Sequence, residues 1–211
     1  MTVPEYAART KYDRRVARRY RREAEGRRGR ENRVLLDLLG GLSPVESLLD
    51  APCGVGRVAA IPELNTIPYT GVDLASAMLE GAVERRRDDN VAWIRGDLES
   101  LPLKDRAFDV VLCLRLLHHL PSPTRVRVVR EASRTASRAV IFTYFHPLAL
   151  HYAQRRLKSL LTGRASHRFS HTAGWIEGCL RDQGWRLEAE RGTGFLRETR
   201  YALFVRDERN G

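Results

Sequence analysis

The sequence predicts an α/β domain with a mostly parallel sheet and helices on both faces. Three observations carry that expectation. Short apolar runs suited to buried strands alternate with helical patterns between residues 45 and 145. The loop Asp50-Ala51-Pro52-Cys53-Gly54-Val55-Gly56-Arg57 follows the first such run, and its glycines let backbone N–H groups approach a ligand. Acids then close the next two strands, at Asp73 and Asp97. A βαβ unit places such a carboxylate about 20 residues beyond the glycines, within reach of ribose hydroxyls.

Residues 7–39 carry a helical pattern interrupted near Gly26 and Gly29, with Tyr12, Val16 and Tyr20 on one apolar face and arginines on the others. Gly40-Gly41 ends the run at 31–39, and Ser43-Pro44 leads into the first strand at Ser47-Leu48-Leu49. A short helix is expected over 57–61, stopped by Pro62. Strand two is Tyr69–Asp73, followed by a helix from Ala75 to Arg87. Strand three covers Val91–Leu98 and strand four Phe108–Cys113. After Pro121-Ser122-Pro123 comes a helix over 124–136, then strand five at Ala139–Phe145. Leu150, Ala153, Leu157 and Leu160-Leu161 form an apolar stripe opposed by Arg155 and Lys158, which predicts an inserted amphipathic helix within 146–170. A helix from Thr172 to Gln183 stops at Gly184, and strands at 185–191 and 197–206 pair antiparallel across Gly192-Thr193-Gly194. The expectation is one domain over 1–211. It comprises a helical cap (1–40), a core (45–145), an insert acting as a lid (146–170) and the last helix with closing strands (171–211).

The glycine spacing read with Ala59 also matches a dinucleotide fingerprint. Asp50 argues for a different ligand, because a carboxylate at the loop repels a pyrophosphate but suits an ammonium and a sulfonium. In their order, Asp50 through Gly56, Asp73, Gly96-Asp97 and Phe108 through Leu120 resemble the motifs of the class I S-adenosylmethionine-dependent methyltransferases. The resemblance is strong over about residues 45–145 and departs at Pro52, where that family more often has glycine. It implies a Rossmann-like, seven-stranded sheet with an antiparallel last strand, and S-adenosylmethionine as cofactor. On this likeness Asp50, Ala51, Gly54 and Gly56 hold the methionyl end, with Cys113 at the end of strand four beside them. Asp73 and Leu74 border the ribose, Asp97 and Leu98 meet the adenine amino edge, Met78 packs on the adenine face, and Tyr20 touches the methionine end from the cap.

Methyl transfer needs the donor held, the acceptor aligned and, for a hydroxyl acceptor, a proton removed. His118 and His119 leave the carboxyl end of strand four, where open α/β sheets place ligands. His118 is expected to face the transferred methyl as general base, with His119 supporting the loop. Tyr144 and His146 are further candidates at the same rim. The chain has no Asn-Pro-Pro-Tyr or Asp-Pro-Pro-Tyr after strand four, the signature of base-amino methyltransferases. The best match is O- or C-methylation of a small-molecule or lipid-like acceptor.

The formal charge of +11 is uneven. Arg14-Arg15, Arg18-Arg19, Arg21-Arg22, Arg27-Arg28 and Arg30 crowd the amino-terminal segment, and Arg155, Arg156, Lys158, Arg164 and Arg168 the insert. That density keeps RNA, or peripheral contact with an anionic membrane, open as alternative partners. A non-catalytic module that binds the cofactor is a third alternative. No apolar run is long enough to span a bilayer. Cys53, Cys113 and Cys179 lack metal-binding spacing and read as free thiols of a cytoplasmic protein. His167 and His171 sit in a loop pattern, and no metal is expected.

Overall fold

The computed structural model describes residues 15–17, 28–147, 169–194 and 199–207. Within them the elements run α1 (Arg28–Gly40), β1 (Leu48–Asp50), β2 (Tyr69–Asp73), α2 (Ser76–Val83), β3 (Val91–Arg95), β4 (Phe108–Cys113), α3 (Ser122–Thr135), β5 (Ala136–Phe145), α4 (Ala173–Leu180), β6 (Trp185–Gly192) and β7 (Thr199–Arg206). The strands form one seven-stranded sheet in the order β3-β2-β1-β4-β5-β7-β6. Pairings from β3 through β5 are parallel, while β7 is antiparallel to both β5 and β6. The predicted mostly parallel sheet with an antiparallel last strand is therefore present.

Alternate side chains along the strands divide the core into two layers. Leu48, Val110, Leu112, Ile141 and Leu203 face Leu35, Leu38 and Leu39 of α1. Leu49, Val111, Val140, Phe142 and Phe204 face Val128, Val129 and Ala132 of α3 and Ile176 and Leu180 of α4. Each fully buried aliphatic side chain stabilises the fold by about 1.5–3 kcal/mol. Helices on both faces are thus required by strands that are apolar on both sides.

Several boundaries differ from expectation: strand β3 ends at Arg95, short of Leu98, where the chain turns into the Asp97 loop, and helix α3 starts at Ser122. Residues 57–60 form turns rather than a helix, and a 3-10 turn at Pro62–Leu64 follows. Gly56 at φ +70° and Pro62 leave too few residues between them to sustain an α-helix. Helix α2 stops at Val83, short of Arg87. Strand β5 starts at Ala136, because α3 runs into it without a connecting turn. Helix α4 ends at Leu180 and tightens into a 3-10 turn before Gly184 at φ +70°. The insert helix expected within 146–170 lies almost wholly outside the described residues, as does most of the amino-terminal cap.

Strand order reverses between β1 and β4, whose chain connections leave toward opposite sides of the sheet. Asp50 is in register with Leu112, and the Ala51 N–H donates to the Leu112 carbonyl at 2.9 Å. The loop after β1 and the segment after β4 therefore share the crevice at this switch point, where open α/β sheets bind ligands.

Candidate active site

The loop after β1 is anchored by its own backbone and by the end of β2. The Cys53 N–H donates to the Val72 carbonyl at 2.8 Å, and the Gly54 N–H donates to Asp73 Oδ2 at 2.9 Å. Gly54 (φ +54°) and Gly56 (φ +70°) both occupy the left-handed region that side chains disfavour. Their surroundings differ. A Cβ on Gly54 would meet nothing within 4 Å, whereas one on Gly56 would lie 3.1 Å from Ala82 of α2 and from the Trp93 ring. Gly54 opens the loop to a ligand, and Gly56 lets α2 close against it.

Asp73 is buried, and both carboxylate oxygens are held by the main chain. Oδ1 accepts the Ala75 N–H at 2.9 Å, opposite the Gly54 bond. Burial raises its pKa, and these backbone donors pull it down. Each oxygen keeps a second lone pair, so the fixed carboxylate still has capacity for hydroxyl donors. Leu74 is half-buried, with its carbonyl accepting from Arg95 Nε at 3.2 Å.

Asp50 stands in the floor beneath the loop, only 2% exposed. Its Oδ2 accepts the Tyr69 hydroxyl at 2.6 Å, and Oδ1 has no hydrogen-bond partner among the described residues. Burial pushes the carboxyl up to about 7, against the Tyr69 hydrogen bond and the positive charge of Arg57. Ala51 and Cys113 are fully buried beside it, and burial pushes the Cys113 thiol up.

Asp97 lies past the end of β3, its Oδ1 accepting the Glu99 N–H at 3.0 Å, with Leu98 buried next to it. This loop is tied to α3: the Leu101 N–H donates to Glu131 Oε1 at 2.7 Å, and Arg134 Nη1 to the Leu103 carbonyl at 2.9 Å. Met78 is buried against Val55 and Ala17. Ala17 therefore lies against both the glycine loop and α2. Tyr20 lies outside the described residues.

Across the seam, Leu117–His119 form a 3-10 turn. The His118 ring is buried, stacked on Phe145 at 3.8 Å and 13°, while His119 is half-buried with its ring centroid 4.0 Å from that of His118. His146 is half-buried at the end of β5. Tyr144 is fully buried in the α3–α4 layer rather than displayed at the rim, because it shares the inward face with Phe142. Burial, followed by the nearby Glu190, raises its phenol pKa.

Two groups escaped the sequence-based expectation. Arg57, directly after the loop, donates to Asn32 Oδ1 at 2.8 Å and approaches Glu31, which also pairs with Arg115 at 3.3 Å. These join α1 to both sides of the switch point. On the other face, Arg125, His171 and Trp175 gather beside Phe169 and Tyr144. A basic residue abutting the loop was the available signal for the first group. Nothing in the sequence spacing marks the second.

Comparison with known proteins agrees with this architecture. Residues 49–142 match the family described as "Methyltransferase domain". The chain is 36% identical over 108 residues to 27-O-demethylrifamycin SV methyltransferase of Amycolatopsis mediterranei, covering 47% of this chain and 39% of that protein. It is 36% identical over 99 residues to phthiotriol/phenolphthiotriol dimycocerosates methyltransferase of Mycobacterium tuberculosis, covering 44% and 35%. Each match thus spans well under half of the relative's own length. The crystal structure of magnesium protoporphyrin IX methyltransferase from Synechocystis with bound S-adenosylhomocysteine superposes with a TM-score of 0.71. At 22% identity over 86% of this chain and 83% of that one, this likeness establishes the fold. The sheet order, the glycine loop at its switch point and the domain match over residues 49–142 together support a class I S-adenosylmethionine-dependent methyltransferase.

Proposed function

We propose that this protein transfers a methyl group from S-adenosylmethionine to an oxygen or carbon of a small-molecule or lipid-like acceptor, by direct in-line displacement. The observation that carries the reading is the seam between β1 and β4. It sets an open glycine loop with a main-chain-fixed acid on one side and a histidine turn on the other. The residues present fit the cofactor: Gly54 leaves room where a side chain would stand, and Asp73 keeps acceptor capacity for hydroxyls. Asp50 adds, in the floor, a buried carboxyl oxygen without a partner among the described residues. When bound, the cofactor supplies an electrophilic methyl on a sulfonium. For a hydroxyl acceptor, His118 removes the proton, and its stack on Phe145 fixes the ring. Asp97 and Leu98 take the adenine edge, and Met78 packs on the adenine face.

The two curated relatives, a rifamycin and a phthiotriol methyltransferase by name, support a small or lipid-like acceptor. Charge is the one feature favouring RNA, and many arginines of the described residues already pair with acids. Examples are Arg115 with Glu31, Arg130 with Asp182 and Arg138 with Asp109. The remaining basic segments suit peripheral contact with an anionic surface; no helix among the described residues is long and apolar enough to cross a membrane. The test is transfer of label from methyl-labelled cofactor into lipid, polar-metabolite and RNA fractions of a cell extract. Label in the lipid or metabolite fraction is expected. Label confined to RNA would replace the acceptor class, and cofactor binding without transfer to any fraction would favour a non-catalytic module.

A further inference from the structure

Arg125, in the second turn of α3, is 5% exposed, yet no acid among the described residues lies within ion-pairing distance. Its guanidinium carbon lies 5.1 Å from the Phe169 ring and 5.0 Å from the Trp175 ring. Aromatic faces offset part of the cost of burying a cation, and they leave the edge of the guanidinium as its hydrogen-bonding side. Of that edge, Nη2 donates to the Leu120 carbonyl at 2.7 Å, while Nε has no partner among the described residues.

His171 completes the enclosure. It is 7% exposed, its ring centroid is 5.1 Å from Trp175 and 5.5 Å from Tyr144, and neither ring nitrogen has a partner among the described residues. Burial, then the charge of Arg125, pushes its pKa down to about 3, so the ring is neutral and carries one N–H donor. Phe169, at the edge of this cluster, is 41% exposed. It also adjoins the histidine turn, because the Phe169 N–H donates to the His118 carbonyl at 2.9 Å. In sequence, residues 148–168 immediately before Phe169 contain no Asp or Glu but five basic residues, Arg155, Arg156, Lys158, Arg164 and Arg168. Among the described residues, a cation and a donor thus meet here with no acid paired to Arg125.

We propose that Arg125, flanked by Phe169 and Trp175 and assisted by His171, is an anchor for a carboxylate on an otherwise apolar acceptor. This rests on the reading of the His118 turn as the acceptor side. A buried cation left without a counter-charge is costly, and a carboxylate matches the guanidinium edge with two parallel hydrogen bonds. The aromatic walls then take the apolar body adjacent to the charged group. Arg125 is a specificity residue in this scheme, distinct from the groups that hold the cofactor.

The test uses the full chain saturated with S-adenosylhomocysteine. Calorimetry or ligand-observed NMR measures the affinity of cinnamate, 4-phenylbutyrate and decanoate, each beside its methyl ester, which differs chiefly by lacking the charge. The acids should bind about ten- to a hundredfold more tightly than the esters, the range for hydrogen bonds to a charged group. Arg125→Met should abolish that preference, Arg125→Lys should retain part of it, and neither should change affinity for S-adenosylhomocysteine. Equal binding of acids and esters, no binding of any acid, or a preference that survives in Arg125→Met would overturn the proposal. If Arg125→Met fails to fold, the acid-to-ester ratio of the unaltered protein and of His171→Phe still decides. Failure of the unaltered protein to bind S-adenosylhomocysteine would instead strike the functional reading beneath it.

Discussion

The two sides of the β1–β4 seam are organised by different means. On the cofactor side, main-chain groups set the geometry: Gly54 and Ala75 donate to the two oxygens of Asp73, and Cys53 ties to Val72. On the side proposed for the acceptor, side chains from four elements meet one another. His118 stacks on Phe145, Tyr144 approaches His171, and Arg125 reaches both Phe169 and Trp175. Main-chain geometry constrains which residue types fit and suits a cofactor of fixed shape. Side-chain assembly leaves residue identities free to vary with the acceptor, as loops and rims on a rigid scaffold do.

The sharpest break between the sides should appear in turnover. His118→Ala is expected to lower kcat about 10²–10⁴-fold on a hydroxyl acceptor, with cofactor affinity unchanged. His119→Ala should lose stability instead. Full activity in His118→Ala together with a stable, inactive His119→Ala would reverse the two roles, and a pH–rate profile read in parallel would locate the base.

A smaller effect, on the other side of the seam, is expected for Asp73→Ala. Removing a carboxylate that fixes Gly54, and that is proposed to meet the ribose, should weaken S-adenosylhomocysteine binding by about 1.5–3 kcal/mol. Asp73→Asn should recover part of that loss. An unchanged dissociation constant by calorimetry would reduce Asp73 to a turn residue.

The two sides also titrate in opposite directions. The folded pKa of Asp50 is raised from 3.8 to about 7, so its contribution is full below about pH 4 and is lost as pH rises through 7. His171 is lowered from 6.5 to about 3; its contribution is full above about pH 6.5 and is lost as pH falls through 3. Between these limits each acts with a slope of about 1.4 kcal/mol per pH unit, and the two oppose each other. His171→Phe should therefore expose a melting temperature that falls from pH 4 to 7. Asp50→Asn should expose one that falls as pH drops below 6.5. Parallel profiles in the two variants would contradict these assignments.

How much of this could be read from the sequence follows the same division. The position of Asp73 was legible because it is local: an acid at the end of a strand that follows the glycine loop. The mostly parallel sheet was legible because strands apolar on both faces alternate with helices. The Tyr69–Asp50 bond was hidden, since only the β1–β2 register brings residues 19 apart together. Arg125 and His171 were hidden more deeply. Helical periodicity tells which face is buried, but the packing of α3 beside α4 decides which buried polar groups meet. The start of β5 at Ala136 was missed because no glycine or proline separates it from α3.

The central claim is that the main-chain-organised side is built for S-adenosylmethionine. Thermal unfolding with S-adenosylhomocysteine or NAD, each in excess, tests it most directly, on the intact protein and on Asp73→Ala. A ligand at 100 times its dissociation constant stabilises the native state by about 2.7 kcal/mol, which for a chain of this size raises the melting temperature by roughly 5–10 °C. The intact protein should show that rise with S-adenosylhomocysteine and none with NAD, and Asp73→Ala should show much less at the same concentration. Stabilisation by NAD alone, or an equal rise in Asp73→Ala, would contradict the account.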